Sequence, residues 1–507
     1  MTTTVNLHNC AAWATLTAYT VGQRRSNDSA PVKAYECITA GTSLTGPTGT
    51  GVNIADGSVR WKYLSADDYT SLSAAIAGIG TLSAPTELLF WNDAEWAMNA
   101  VAVSGNTTTV TNTLALKPAA GEGFRSNASA STNPLRYDQS KGVGIASNSN
   151  YDGPFSVNQA YVTVFGLQCR GNAASQSYAM GIGAAGGATA VVDSCILDNG
   201  AAGNAAPCLA NVASTTGGYL FRNTLFVVNV ASYAVVAFYA GTFANCTIVR
   251  SAITAATGSA LQTSYGTGPT VKNTALFGFT SLSSGQTPAF TSCATDIASP
   301  PAGVTGSLTY SSQFQNTGAT ASSRDFRAKA GAGLLDAGAT DTTNVPAAND
   351  ITGTARPQGS AWDIGAWELL ASGTAYTASI TETGTAADTV SSALSAVGAV
   401  TETGAAADTV SASISGSASI TEAASAADTA SAVSLYSASL SDSASATDTV
   451  SSAAALIASV TETASALEAV TSTGSFSAVI VETAAAADTV SGPTAPGTPA
   501  VLLVVNI

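Results

Sequence analysis

YVTVFG (161–166), AVVDSCIL (190–197), YLFRNTLF (219–226), TFANCTIV (242–249) and TVKNTALF (270–277) share one pattern. Each is an apolar stretch with the period-two alternation of a strand. Beside each sits a pair of residues: Gly166-Leu167, Ser194-Cys195, Asn223-Thr224, Asn245-Cys246 and Asn273-Thr274, with Ser292-Cys293 continuing the series. The spacing between successive pairs is uneven, widest from Ser194 to Asn223 and narrowest from Asn273 to Ser292. Asn, Ser and Gly are suited to a left-handed or bridge conformation at a corner. The first residue of the pair therefore reads as a corner, its side chain bonded to backbone. The second, small or sulfur-bearing, points inward.

Coils of this length, one above another, predict a right-handed parallel β-helix over about 65–370. The fold class is all-β. Cys195, Cys246 and Cys293 then act as small core hydrophobes rather than as redox or metal groups. A parallel coil needs its open end covered. The stretch SADDYTSLSAAIAGI (65–79) predicts a capped amphipathic helix with Leu72, Ala75, Ile76 and Ile79 on the buried face.

Composition agrees with a long repetitive β-structure. Charged residues are 10% of the 507, against roughly 25% in an ordinary domain. Hydrophobic residues are 46%, too many for a disordered chain. The net charge of −15 is uneven: 371–507 has twelve carboxylates and no Lys or Arg. No basic patch exists to hold nucleic acid, and no apolar stretch is long enough to span a membrane. The seven Cys show no paired CxxC spacing, and Cys10 and Cys37 are candidates for a disulfide. MTTTVNLHNC has neither the charged nor the apolar region of a signal peptide, which points to assembly in the cytoplasm and exit on a particle.

The last quarter repeats with a period of twenty. Ile380, Val400, Ile420, Leu440, Val460 and Ile480 share one phase, and Glu382, Glu402, Glu422, Asp442, Glu462 and Glu482 follow two positions on. One copy buries about two medium side chains, at roughly 1.5–3 kcal/mol each. That cannot offset backbone entropy of about 1–2 kcal/mol per residue, so the copies must stack. A thin solenoid and an intertwined homotrimeric shaft both satisfy this. The organisation is thus 1–64, 65–370, six repeats over 371–492, and a Pro-rich hinge with an apolar strand over 493–507. That strand reads as a clamp to a neighbouring subunit or capsid.

Three passages resemble the right-handed parallel β-helix proteins of surface and phage-encoded proteins: YVTVFGLQCRG (161–171), DFRAKAGAGLLDAGA (325–339) and ARPQGSAWDIGAWE (355–368). The last two resemble that family's closing and terminal coils, and GAGLL departs from its usual Gly-Ser-Pro-Ala. The stretch 1–64, through AWATLTAYTVGQ, AYECITAGTS and ADGSVRWKYL, resembles a carbohydrate-binding-like or attachment module of phage tail and fibre proteins. The tandem repeats are similar to those of phage virion appendages. Together these imply a structural or adhesive virion component, head or tail fibre or spike, trimeric by class, touching other virion proteins and host surface polysaccharide. The alternatives are a depolymerase tailspike and a capsid decoration protein without host contact.

His8, the one histidine, reads as a surface residue near a mobile terminus, so Ser-His-Asp catalysis is set aside. Polysaccharide cleavage needs facing carboxylates or a base beside a cation. Asp198 and Arg170, if stacked, are the candidate pair, with Asp193 beside them. Glu122, Asp138 and Asp152 are candidates for a lid. Trp13, Trp61, Trp91 and Trp96 are candidates for sugar stacking, with core packing the competing use. Glu382, Asp388, Glu402 and Asp408 are candidate Ca²⁺ ligands, with solvated edge charges as the competing use. No other cofactor is implied.

Overall fold

A computed structural model describes residues 2–370 apart from 28–31, 67, 70, 150–151, 172–176, 184–189, 200–208, 211–217, 229–232, 237–240, 251–257, 264–267 and 319. Of 209–210, 233–236 and the strands between 376 and 506 it describes the backbone. The protein is all-β and forms two units, Met1–Leu370 and Ala371–Ile507.

In the first unit three sheets of nine, seven and nine strands hold most of the chain. From Thr86 to Gly285 the chain makes seven circuits, each placing one strand in each sheet. Every neighbouring pair in these sheets is parallel. The first sheet pairs Thr163 with Val191, Val191 with Leu220, Leu220 with Thr242, Thr242 with Thr270 and Thr270 with Ala289. Each of these offsets equals the spacing of the matching corner pairs, from Gly166 and Ser194 through to Asn273 and Ser292.

The corners themselves are left-handed: φ is 66° at Gly166, 55° at Ser194, 48° at Asn223, 52° at Asn245, 48° at Asn273 and 49° at Ser292. The expected side-chain bonds hold for Asn273, whose amide donates to Ala339 O and accepts from Ala339 N. They fail for Asn223 and Asn245, whose amides find no partner among the described residues. The inward residues, Cys195, Thr224, Cys246, Thr274 and Cys293, are fully buried. Phe221 lies flat on Phe243 of the next circuit, centroids 5.1 Å apart, and Phe226 meets both edge-on. Each such ring contributes about 1.5–3 kcal/mol by burial.

Three boundaries differ from the sequence reading. Strand Thr3–Leu7 is the first strand of the first sheet, paired in parallel with Thr86–Phe90, so the stack begins inside the 1–64 stretch. Helix Leu72–Ile79 starts later than expected, because Ser65 and Ala66 end a strand and Ser71 is the N-cap, its hydroxyl accepting from Ala74 N. Leu72, Ala75 and Ile76 are buried as expected. The largest difference concerns 308–370. This segment does not close the stack. It lies along the outer face of the third sheet, where Tyr310, Phe314, Phe326, Leu334, Ile351, Ile364 and Trp367 share a core with outward-facing Ile196, Leu225, Val227, Val249 and Phe277. Gly365 N donates to Asn273 O and Ala366 N to Thr247 Oγ1, so the segment grips two successive circuits. The reason is visible in the third-sheet strands. Leu225–Val228 is buried on both faces, the mark of a sheet covered on both sides.

Between 18 and 66 a four-stranded and a two-stranded antiparallel sheet pack around Tyr19, Tyr35, Cys37, Val59 and Trp61. Asp56 pairs with Val59 across the expected Asp-Gly hairpin, with Gly57 at φ 65°. Cys10 and Cys37 both keep their thiols, which overturns the candidate disulfide.

The second unit stacks the repeats as two parallel sheets of seven and six strands within one chain. Ile380 pairs with Val400, and Glu382 with Glu402. The strand Val501–Asn506 pairs with Phe476–Glu482 of its own chain and is the last strand of its sheet. The hinge at 493–500 lies outside the described residues.

Candidate functional site

Arg170 and Asp198 are indeed register partners on adjacent strands of the third sheet. Each has further partners. The Arg170 guanidinium pairs with the Glu95 carboxylate at 2.9 Å and lies 4.9 Å from the Tyr137 ring centre. Tyr137 OH donates to the same carboxylate at 2.7 Å, and burial together with that bond pushes its phenol well above the usual range. Asp198 faces Arg324 of the covering segment, whose guanidinium is lowered by burial and raised by that carboxylate. The group on this surface is therefore Glu95, Arg170, Tyr137 and Asp198. The sequence showed two of its members, because register alone brings those two together. Glu95 and Tyr137 arrive from loops with no periodic signal.

Asp193 does a different job. Arg222 Nε donates to it at 2.8 Å from the next coil, and the Ser194 hydroxyl donates to its other oxygen. It is nearly covered and its two oxygens are committed, so it braces the corner. The lid residues are likewise structural. The coils begin before them, so they lie in loops within the stack. Glu122 pairs with Arg24 at 2.8 Å, Asp138 caps Gln139–Lys141 and pairs with Arg136, and the Asp152 carbonyl accepts from Ser147 and Ser177.

Of the sugar-stacking candidates, Trp61 is fully buried and Trp96 is 4% exposed. Trp91 has one face against the His8 ring, centroids 4.8 Å apart, and its indole N–H donates to Asn6. Trp13 is half-buried, with Gly46 against its ring and its N–H donating to Ser43. Trp61 and Trp96 pack in the core, and none of the four forms a platform with another.

The reading of His8 as a surface residue is overturned. His8 is 2% exposed and sits where the N-terminal sheet meets the first circuit. Its Nδ1 lies 2.7 Å from Asp93 Oδ2 and its Nε2 2.8 Å from Ser65 Oγ. Arg24 bonds the other Asp93 oxygen and also reaches Glu36 and Glu122. Burial alone would lower this guanidinium, and the three carboxylates hold it well above its ordinary value. Ser65, His8 and Asp93 have the order of an acyl-transfer triad. The imidazole and the Asp93 side chain are fully covered, however, and Ser65 Oγ also lies 2.9 Å from Ala66 O. The constellation holds the joint together rather than presenting a nucleophile.

A cleft of ≈ 520 Å³ opens elsewhere, between the first sheet and the covering segment, against Lys117, Glu87, Arg125, Phe165, Thr352 and Gly353. Arg125 lies 4.4 Å over the Phe165 ring, and burial lowers its guanidinium.

No family model, curated protein or solved structure matches this chain. The candidate site therefore rests on geometry alone. Of the candidate calcium ligands, Glu382 and Glu402 are register partners, while Asp388 and Asp408 lie outside the described residues.

Proposed function

We propose that the stacked circuits of the first unit form a right-handed parallel β-helix, that 371–507 is a second thin solenoid of short repeats, and that the whole is a structural and adhesive component of a bacteriophage virion. The observation that carries this reading is that both units are parallel ladders whose register follows a sequence repeat, uneven in the first and of constant period twenty in the second. Such a chain builds length and a rigid face. Charged groups of the first unit engage one another: Asp193 with Arg222 within the stack, Lys272 with Asp341 across to the covering segment, and Arg356 with Glu368 inside that segment. The partners proposed are other virion proteins and host surface polysaccharide, with homotrimeric assembly. The ladder within one chain supports a solenoid over an intertwined shaft for the repeats.

A second reading, a depolymerase, is favoured by one specific arrangement, Arg170 flanked by Glu95 and Asp198 on an outer face. Glycan cleavage needs facing carboxylates or a base beside a charge-stabilising cation, and this face carries both residue types. The test is a reducing-end and unsaturated-sugar assay of the full-length protein on bacterial surface polysaccharides, run beside a cell-binding assay. Binding without cleavage supports the adhesive reading. Cleavage abolished by Asp198→Ala replaces it with the enzyme. Hundreds of copies on the particle head and no cell binding would favour a decoration protein.

A further inference from the structure

The joint at His8 holds a second kind of chemistry. Cys10 Sγ, a carboxylate oxygen of Asp93 and a ring nitrogen of His8 all lie within 4.8 Å of one another. These are an imidazole, a thiolate precursor and a carboxylate, the donor set of an open zinc site with three protein ligands and one water. We propose that His8, Cys10 and Asp93 form a transition-metal site that takes Zn²⁺ and fastens the start of the chain to the first circuit.

The ligand distances in tetrahedral zinc, about 2.0–2.3 Å, put neighbouring donors about 3.3–3.7 Å apart, so donors separated by up to 4.8 Å close by about 1–1.5 Å on binding. The His8–Asp93 contact of 2.7 Å opens as the metal replaces the proton between Nδ1 and Oδ2. His8 Nε2 is then left as N–H, donating to Ser65 Oγ at 2.8 Å, the outer contact that fixes the ring of a metal-bound histidine. Asn9, between the two ligands, is clamped to the loop carrying the third. Its amide donates to Ala94 O and Glu95 O, and its Oδ1 accepts from Ala94 N. The donor atoms are thus held by backbone-anchored elements on both sides. Charge also balances: the ion offsets the Cys10 thiolate and the Asp93 carboxylate, while Arg24 remains with Glu36, Glu122 and the second Asp93 oxygen. Binding releases the thiol proton, so affinity rises with pH. This site is independent of the virion reading.

Co²⁺ is the probe for the test. Full-length protein, stripped with chelator, is titrated with Co²⁺ and then Zn²⁺. The expected result is one ion per chain, with a thiolate-to-cobalt charge-transfer band and the strong visible bands of a four-coordinate ion, both removed by one equivalent of Zn²⁺. Cys10→Ser abolishes the charge-transfer band, and His8→Gln, which removes a direct ligand, weakens binding by more than the roughly tenfold that losing an outer partner costs. A folded wild-type protein that gives no such band, or a band that survives Cys10→Ser, overturns the proposal. If either variant fails to fold, the wild-type protein decides: Zn²⁺ must slow alkylation of Cys10, mapped by mass spectrometry, and no slowing overturns the site.

Discussion

Arg356 and Glu368 form an ion pair sealed inside the covering segment, 2.8 Å apart and 0% and 1% exposed at the side chain. The guanidinium also donates to Asp363 O and Gly365 O, and the carboxylate accepts from the backbone of Gln358 and Asp363. These are the first and last charged residues of the RPQGSAWDIGAWE stretch, so the motif is a device for folding that segment onto the sheet. Removing one partner strands a buried charge, at a cost of about 3–5 kcal/mol. Glu368→Gln should lower the denaturant midpoint of the first unit accordingly, and Arg356→Met with Glu368→Leu should recover part of the loss, the backbone groups of Gln358, Asp363 and Gly365 staying unpaired. All six Trp lie within 1–370, so tryptophan fluorescence reads this unit alone. A double variant as unstable as the single one would contradict the account.

The Phe221–Phe243 stack lies in the inner core, both rings fully buried. Phe243→Ala should cost about 3–5 kcal/mol, while Val110→Ala, at a residue 74% exposed, should cost almost nothing. The comparison is read from the same fluorescence-monitored unfolding curves.

Asp56 supplies a pH signature for the N-terminal sheet. Burial pushes its carboxyl up, but hydrogen bonds from the Ser43 hydroxyl and from the N–H groups of Thr45, Leu44 and Gly46 more than offset this and hold it at about 2. A carboxyl depressed on folding stabilises above its unfolded value of about 3.9, and the benefit is lost as pH falls through the folded value. The stability gap between wild type and Asp56→Asn should therefore shrink between pH 4 and pH 2. A gap constant across that window would rule the carboxylate out as its source.

Cys195 and Cys246 are pushed up to about 12 and Cys293 to about 11, in each case by burial. Since the thiolate is the reactive form, all three should resist alkylation at pH 8 in the native state and react together on unfolding. Half-buried Cys10 should react before these three in metal-free protein. Native labelling of Cys246 at the rate of Cys10 would show that the stack opens locally.

Much of the stack was legible because its signal is local and recurs. The corner pairs at Ser194, Asn223, Asn245 and Asn273 carry both the conformation and the spacing, and the observed register reproduces their intervals. The Arg170–Asp198 pairing followed from the same spacing. His8 was illegible. Its partners Ser65 and Asp93 are far along the chain, with no period connecting them. Arg24 and Glu122 are equally remote from one another, and illegible for the same reason.

What the sequence by itself determined is the repeating unit: which residues turn a corner, which point inward, and how far the chain travels before it returns to the same place. Those follow from φ preference and side-chain alternation, which act over short stretches of chain. Tertiary structure decided everything that needs two distant surfaces to meet. It laid 308–370 along the outside of the third sheet rather than across its end, because strands apolar on both faces required a cover there. It also gathered His8, Cys10 and Asp93 into one cluster, because the first strand of the chain docks on the strand beginning at Thr86.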